Sequence, residues 1–378
     1  IMKKKILLVF GTRPEAIKMA PLVKKFKKDN GFITKVCVTA QHRHMLDQVL
    51  NIFDIKPDFD LNLMKNNQTL SDLTSRVLIG MKEVFGIYKP DIVFVHGDTT
   101  TSMVTSLAAF YEKIYVAHIE AGLRTYNNYS PWPEEGNRRI TGVLANYHFA
   151  PTQKSKENLL NENVSKDNIF VTGNTVIDAL LFTLKKIESN KNFKSKIQLE
   201  LDNQYKVNHL RKLILVTGHR RENFGKGIIS ISKALRAIAK KNPDVDIVYP
   251  VHLNPNIREP VIKGLRDLSN VYLIEPVSYE TFAYLMSQSY FILTDSGGIQ
   301  EEAPSLGKPV LLMRETSERP EAIDSGTVKL VGSDYERITK ESEILLNDRD
   351  QYAKMSITQS PFGDGTACEK IVEITRNF

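Results

Sequence analysis

Three carboxylates and one histidine stand where a parallel α/β chain places its chemistry. Asp98 follows the apolar run Val93-Phe94-Val95 in Gly97-Asp98-Thr99-Thr100, and Glu120 follows Tyr115–His118 in Glu120-Ala121-Gly122-Leu123-Arg124. Glu134 ends the proline-braced stretch Ser130-Pro131-Trp132-Pro133 and opens a helix. Carboxylates that share a cleft repel one another and lose water. At least one pKa then rises, the usual route to an acid and a base from one kind of side chain. Taken singly, each reads better as a helix cap, Asp98 before two threonines above all. Taken together, they point to acid–base work. His219-Arg220-Arg221 follows the run Leu213–Thr217 and adds a titratable ring with two guanidinium forks suited to phosphate.

A second feature lies at residues 291–304. Phe291, Ile292 and Leu293 read as a buried strand, Asp295-Ser296-Gly297-Gly298 break it, and Ile299 restarts as a helix. Backbone N–H groups at such a helix start face outward, and glycines without Cβ atoms let a phosphate approach closely. Glu301 and Glu302 in the same first turn suit the helix dipole but repel a bare phosphate. A ligand with hydroxyls beside its phosphates, such as a nucleotide ribose, reconciles the two. An ordinary βα turn is the other reading of this stretch.

The elements that must position these residues follow from the apolar pattern. Strands are expected at Lys5–Phe10, Ile33–Thr39, Ile92–His96, Tyr115–His118, Tyr147–Ala150 and Ile169–Thr172. The pattern restarts at Leu213–Thr217, Asp246–Tyr249, Val271–Ile274, Tyr290–Thr294, Pro309–Met313 and Val328–Leu330. Helical periodicity fills the gaps, clearest at Pro14–Lys28, Leu70–Tyr88, Thr100–Phe110 and Glu280–Ser287. The alternation predicts an α/β protein of two successive parallel sheets. Residues 184–212 are polar and weakly patterned, and read as the start and first loop of the second domain. Ligands of open parallel sheets bind outside the carboxyl ends of the strands. Polar residues gather at those ends in both halves, which predicts one cleft between two facing domains.

Bulk properties narrow the classes. The chain has 378 residues, enough for two or three domains, with 25% charged residues and a net charge of +7. Its lysine runs, such as Lys24-Lys25-Phe26-Lys27-Lys28 and Lys240-Lys241, read as solvated helix faces, so no nucleic-acid partner is expected, whereas an anionic small substrate fits. No run of 18 apolar residues exists, so no membrane span is expected. Two distant cysteines, Cys37 and Cys368, fit a reducing, cytoplasmic setting and not a disulfide framework. No G-x-G-x-x-G follows a strand, no P-loop is complete, and no zinc-type cluster appears.

The assembled motifs resemble the non-hydrolysing UDP-N-acetylglucosamine 2-epimerases over nearly the whole length. The resemblance rests on Phe10-Gly11-Thr12-Arg13-Pro14-Glu15-Ala16, His96-Gly97-Asp98-Thr99, His118-Ile119-Glu120-Ala121-Gly122-Leu123-Arg124 and Pro131-Trp132-Pro133-Glu134-Glu135. In the second half it rests on His219-Arg220-Arg221-Glu222-Asn223, the stretch Asp295–Pro304, Thr316-Ser317-Glu318-Arg319-Pro320-Glu321 and Pro361-Phe362-Gly363-Asp364-Gly365. It implies two Rossmann-like domains facing across a cleft, glycosyltransferase-B-like. They would cover residues 1–176 and 177–361, with residues 362–378 returning to the first.

It further implies reversible conversion of UDP-GlcNAc to UDP-ManNAc through 2-acetamidoglucal and UDP, without metal or other cofactor, in a homodimer. Asp98, Glu120, Glu134 and His219 match the family's catalytic set. Arg13, Arg319, Ser296, Gly297 and Gly298 match the diphosphate grip, Glu302 the ribose, Phe282 the uracil, and Lys18 and His252 further substrate contacts. A hydrolysing epimerase, a glycosyltransferase of the same architecture and a non-catalytic UDP-sugar sensor are the rival readings. Bacterial members carry a second, activating UDP-GlcNAc site built on Gln, Gln and Arg. This chain has Gln41, His44 and Asn67 there, and Asn67 lacks the fork that suits a diphosphate. Substrate activation is therefore expected to be weak or absent.

Overall fold

The computed structural model describes residues 3–40, 43–63, 65, 67–317, 319–357 and 360–378. The chain forms two compact units, Ile1–Ala179 with Phe362–Phe378, and Leu180–Pro361. Each is built on one parallel sheet.

The strands of the first unit are β1 (Lys4–Phe10), β2 (Phe32–Val38), β3 (Phe59–Asp60), β4 (Ile92–His96), β5 (Tyr115–Ile119), β6 (Tyr147–Ala150) and β7 (Ile169–Val171). They lie in the order β3-β2-β1-β4-β5-β6-β7. Helices cover both faces, so the central strands are apolar without alternation, and Ile6 to Phe10 are wholly buried. The second unit repeats the plan. Its strands are β8 (Lys212–Thr217), β9 (Val245–Pro250), β10 (Val271–Ile274), β11 (Phe291–Thr294), β12 (Val310–Leu312) and β13 (Val328–Leu330). Their order is β10-β9-β8-β11-β12-β13. In both units the winding reverses beside the first strand, between β1 and β4 and between β8 and β11. That reversal opens the crevice where Rossmann-like sheets take ligands.

Two elements depart from the sequence expectation. Strand β3 is two residues long, joined by Cys37↔Phe59 and Val38↔Asp60, and two residues carry no period to read. The weakly patterned stretch 184–212, expected to hold a first loop, contains the helix Lys191–Leu201, started by Asn190 accepting from Phe193 N at 3.1 Å. It buries only Ile197 and Leu201, too little for an amphipathic signal.

The C-terminal segment is part of the first unit. Asn174 N donates to Phe362 O at 2.6 Å, and a Cβ on Gly173 would stand 3.0 Å from the Gly363 backbone, so the chains cross at glycines. Cys368 N, at the start of the helix Ala367–Thr375, donates to Asp178 Oδ1 at 2.9 Å. The Phe378 ring stacks on Tyr147 with centroids 3.6 Å apart.

Candidate active site

The β1 and β4 loops flank the reversal in the first unit. Gly11-Thr12-Arg13 follows β1, and a Cβ on Gly11 would meet Thr39 Oγ1 at 2.0 Å, so only glycine fits. Thr12 caps the helix Arg13–Lys28 in a reciprocal box with Glu15. Arg13, half-buried at the first helical position, makes no side-chain hydrogen bond or ion pair with the described residues. One turn along, Lys18 Nζ donates to Glu120 Oε2.

Glu120 directly follows β5 with φ +62°, a left-handed conformation that is uncommon for a residue with a side chain and clusters at functional sites. Its side chain is 9% exposed. Oε2 also accepts from Asn174 Nδ2 at 2.9 Å, and His96 Nε2 lies 3.6 Å away. Burial pushes the Glu120 pKa up, but Lys18 and His96 outweigh it and hold the carboxyl well below its usual range.

Asp98 is set the opposite way. Burial raises its pKa, the charge of Glu120 adds to the rise, and Arg138 opposes it from 2.9 Å. Its main chain is fixed on two sides: Asn137 Nδ2 donates to Asp98 O at 3.0 Å, and His118 Nε2 to Gly97 O at 2.7 Å. The carbonyl can only accept, so the His118 proton sits on Nε2. Burial pulls the His118 pKa down to about 3 and keeps the ring neutral.

Glu134 opens the helix Glu134–Leu144, the element that sends Asn137 and Arg138 to Asp98 one turn later. Its Oε2 is buried with no hydrogen-bond partner among the described residues. The structure therefore joins Asp98, Glu120 and Lys18 in one electrostatic group. Glu134 is tied to that group through its helix and not by direct contact. The loop before it is braced by Glu135, which accepts from Thr125 N at 3.1 Å and Tyr126 N at 2.9 Å.

In the second unit the β8 and β11 loops meet on Asp295. This fully buried carboxylate accepts from His219 N at 3.0 Å, Arg220 N at 2.9 Å and Asn223 Nδ2 at 3.2 Å. It also lies 3.4 Å from His219 Nδ1, while the His219 side chain stays 47% exposed. Burial lowers the His219 pKa against the pull of Asp295. The exposed His252, after β9, stacks with the His219 ring at 6.1 Å, and its Nδ1 accepts from Asn254 N at 3.2 Å. In the neutral ring the proton is thus on Nε2.

Gly298 has φ −65° and ψ −36°, which any residue adopts, and among the described residues a Cβ there would meet only Glu302 Oε1, at 3.6 Å. The fold itself does not demand this glycine. Glu301, which should repel a phosphate, is paired with Arg319 Nε at 2.5 Å. Phe282 is half-buried on the helix Tyr279–Gln288. The N-cap of that helix, Ser278, is held by Glu200, which accepts from Ser278 N at 2.7 Å. So the helix missed in the sequence positions a candidate binding residue.

Of the residues matched to a second site, Gln41 lies outside the described residues. His44 is exposed on the helix Arg43–Ile52, and Asn67 is exposed with φ +58°. Among the described residues no group of three metal-ligating side chains is found, and no helix is long and apolar enough to cross a membrane.

Sequence reading missed the supporting residues Glu15, Asn174 and Asp295 as members of the site. The Thr12-x-x-Glu15 box was a visible signal for the cap, but contacts between loops distant in sequence leave none.

Comparison with known proteins adds a consistent set of relatives. A family model described as UDP-N-acetylglucosamine 2-epimerase matches residues 24–376. A Campylobacter jejuni protein named UDP-N-acetylglucosamine 2-epimerase is 63% identical over 373 residues, covering 99% of this chain and 97% of its own. The crystal structure of UDP-GlcNAc 2-epimerase from Neisseria meningitidis bound to UDP-GlcNAc is similar with TM-score 0.88 and 53% identity, over 99% of this chain and 100% of that one. The Methanocaldococcus jannaschii enzyme in complex with UDP-GlcNAc and UDP is similar with TM-score 0.78 and 34% identity, over 99% and 100%.

Proposed function

The chain belongs to the UDP-N-acetylglucosamine 2-epimerase family, and on that premise we propose that it interconverts UDP-GlcNAc and UDP-ManNAc without hydrolysis. The observation that carries this reading is the opposed setting of two carboxyls at one switch point. Glu120 is held as an anion by Lys18, and Asp98 is pushed toward its protonated form. A pair separated in this way supplies a base and an acid at one pH.

In this reading a carboxylate removes the proton from sugar C2 while the C1–O bond to the diphosphate breaks. The products are 2-acetamidoglucal and UDP. An acid returns a proton to C2 from the opposite face, and UDP re-adds at C1. The C2 proton is not acidic, so stabilising the departing diphosphate must carry much of the barrier. Arg13, Arg319, Ser296 and the backbone of Gly297 and Gly298 take that role. His219, turned by Asp295, and His252 donate to the substrate, and Glu302 accepts from the ribose hydroxyls. Phe282 meets the base, and Glu134, whose buried Oε2 has no hydrogen-bond partner among the described residues, completes the acid–base set. No metal or other cofactor takes part. The protein works as a homodimer, supported by exposed apolar side chains on three neighbouring helices of the first unit.

The test is incubation with UDP-GlcNAc in D₂O followed by NMR. Epimerisation gives UDP-ManNAc with deuterium at C2. Free ManNAc with UDP indicates a hydrolysing enzyme instead. An unchanged substrate in the absence of an acceptor indicates transfer or sensing.

A further inference from the structure

Two helices of the first unit begin with the same reciprocal cap, and one of them has an extra connection. At Thr69, the Oδ2 of Asp72 accepts from Thr69 N at 2.9 Å and from Thr69 Oγ1 at 2.8 Å. At Thr12, the Oε2 of Glu15 accepts from Thr12 N at 2.8 Å, from Thr12 Oγ1 at 2.8 Å and from Gly11 N at 3.1 Å. An aspartate therefore suffices for the cap. The longer side chain at 15 uses its second oxygen elsewhere. Oε1 accepts from Thr99 Oγ1 at 2.6 Å and from Ser102 Oγ at 3.2 Å, at the start of the helix Thr100–Tyr111. Asp72 is solvent-facing, whereas Glu15 is 1% exposed. Burying a charged carboxylate is tolerated only when its oxygens are satisfied, and here hydroxyls and N–H groups from both sides of the β1–β4 reversal do so. Asp295 bridges the reversal of the second unit in the same manner, from β11 to the β8 loop.

We infer that Glu15 is a positioning residue, whose two oxygens lock the loop bearing Arg13 to the loop bearing Asp98. This rests on the proposed function. Arg13 grips the leaving diphosphate and Asp98 serves the reacting carbon, so their spacing has to match the distance between C2 and the phosphate. A displacement of about 1 Å between such groups can cost a hundredfold in rate.

The experiment compares wild type, Glu15→Asp and Glu15→Gln in epimerase kinetics and UDP titration, with folding checked by circular dichroism. Glu15→Asp keeps the cap, as Asp72 does, but falls short of Thr99. Its kcat should drop at least about tenfold, with the UDP dissociation constant within about threefold of wild type. Glu15→Gln keeps the reach, because its amide can donate to hydroxyls that also accept, and should recover kcat to within about fivefold. A Glu15→Asp variant with wild-type kcat overturns the inference, as does an equal loss of rate and UDP affinity in both variants. If Glu15→Asp fails to fold, Thr99→Ser and Thr99→Ala take its place. Loss of kcat in the alanine variant alone supports the lock, and equal kcat in the two overturns it. A wild type that does not interconvert the two sugars overturns the proposed function and this inference with it.

Discussion

Asp98 and Glu120 carry the same functional group in opposite surroundings, and the difference is testable one residue at a time. Asp98→Asn keeps the shape and the Arg138 contact but removes a titratable proton. Turnover should be lost while UDP affinity stays near wild type, because in the proposed reaction the side chain serves the sugar and not the diphosphate. An Asp98→Asn enzyme with near-normal turnover would remove it from the catalytic set. Arg13→Ala should do the reverse and weaken UDP binding by about 1.5–3 kcal/mol, the worth of a lost charge-assisted contact, as read by calorimetry. Asn67 stands where an arginine of the activating site is expected. Conversion of pure UDP-ManNAc should then start without added UDP-GlcNAc, with near-hyperbolic forward kinetics; a reaction silent until UDP-GlcNAc is added would show that other residues build that site. Asp98, Glu120 and His219 could be picked out as candidates in the sequence because each follows an apolar run. What sets their protonation could not. Lys18 meets Glu120 across 102 positions and Arg138 meets Asp98 across 40, and no local pattern records such pairs.

At the scale of elements, the register of neighbouring strands creates a pH sensitivity. Parallel pairing of β5 with β6 sets His118 directly beside His148. Burial pulls the first down to about 3 and the second to about 4, from an ordinary 6.5. Both rings are neutral in the fold and become charged in the unfolded chain once the pH drops below about 6.5. The unfolded state then binds more protons, so this contribution to stability is whole above 6.5 and is lost as the pH falls toward the folded values. Between about pH 5.5 and 4.5 the two rings together should cost about 2.7 kcal/mol per pH unit, half of it removed by His148→Gln. Urea denaturation across that range measures it, and equal stability at pH 7 and 4.5 would refute it. The strands themselves were legible because a doubly covered parallel sheet needs unbroken apolar runs. Strand β3 and the helix Lys191–Leu201 were not, since one is too short for a period and the other buries only Ile197 and Leu201.

For the molecule as a whole, one face of the first unit is unlike an ordinary solvated surface. The helices Leu70–Tyr88, Thr100–Tyr111 and Glu134–Leu144 pack side by side against the sheet. Their outer positions should be polar if water covers them. Instead Ile79, Ile87, Phe110, Tyr111, Ile140 and Val143 all point outward, Val143 being 85% exposed and Ile87 74%. Isolated exposed apolar residues need no explanation, but several on adjoining helices mark a contact surface. The helical period in the sequence shows that these segments are apolar, not which helices share a face, so a dimer is an expectation drawn from the resemblance alone. If a second copy covers this face, light scattering on the eluting protein should give twice the chain mass of 42.9 kDa. The double variant Ile87→Glu, Val143→Glu should elute at the single-chain mass with an unchanged circular dichroism spectrum. Substitutions at such exposed positions alter the stability of the monomer by no more than about 0.5 kcal/mol, so a loss of mass without a loss of structure reports on the interface. A wild type of single-chain mass at micromolar concentration, or a double variant that keeps the doubled mass, would place the assembly surface elsewhere.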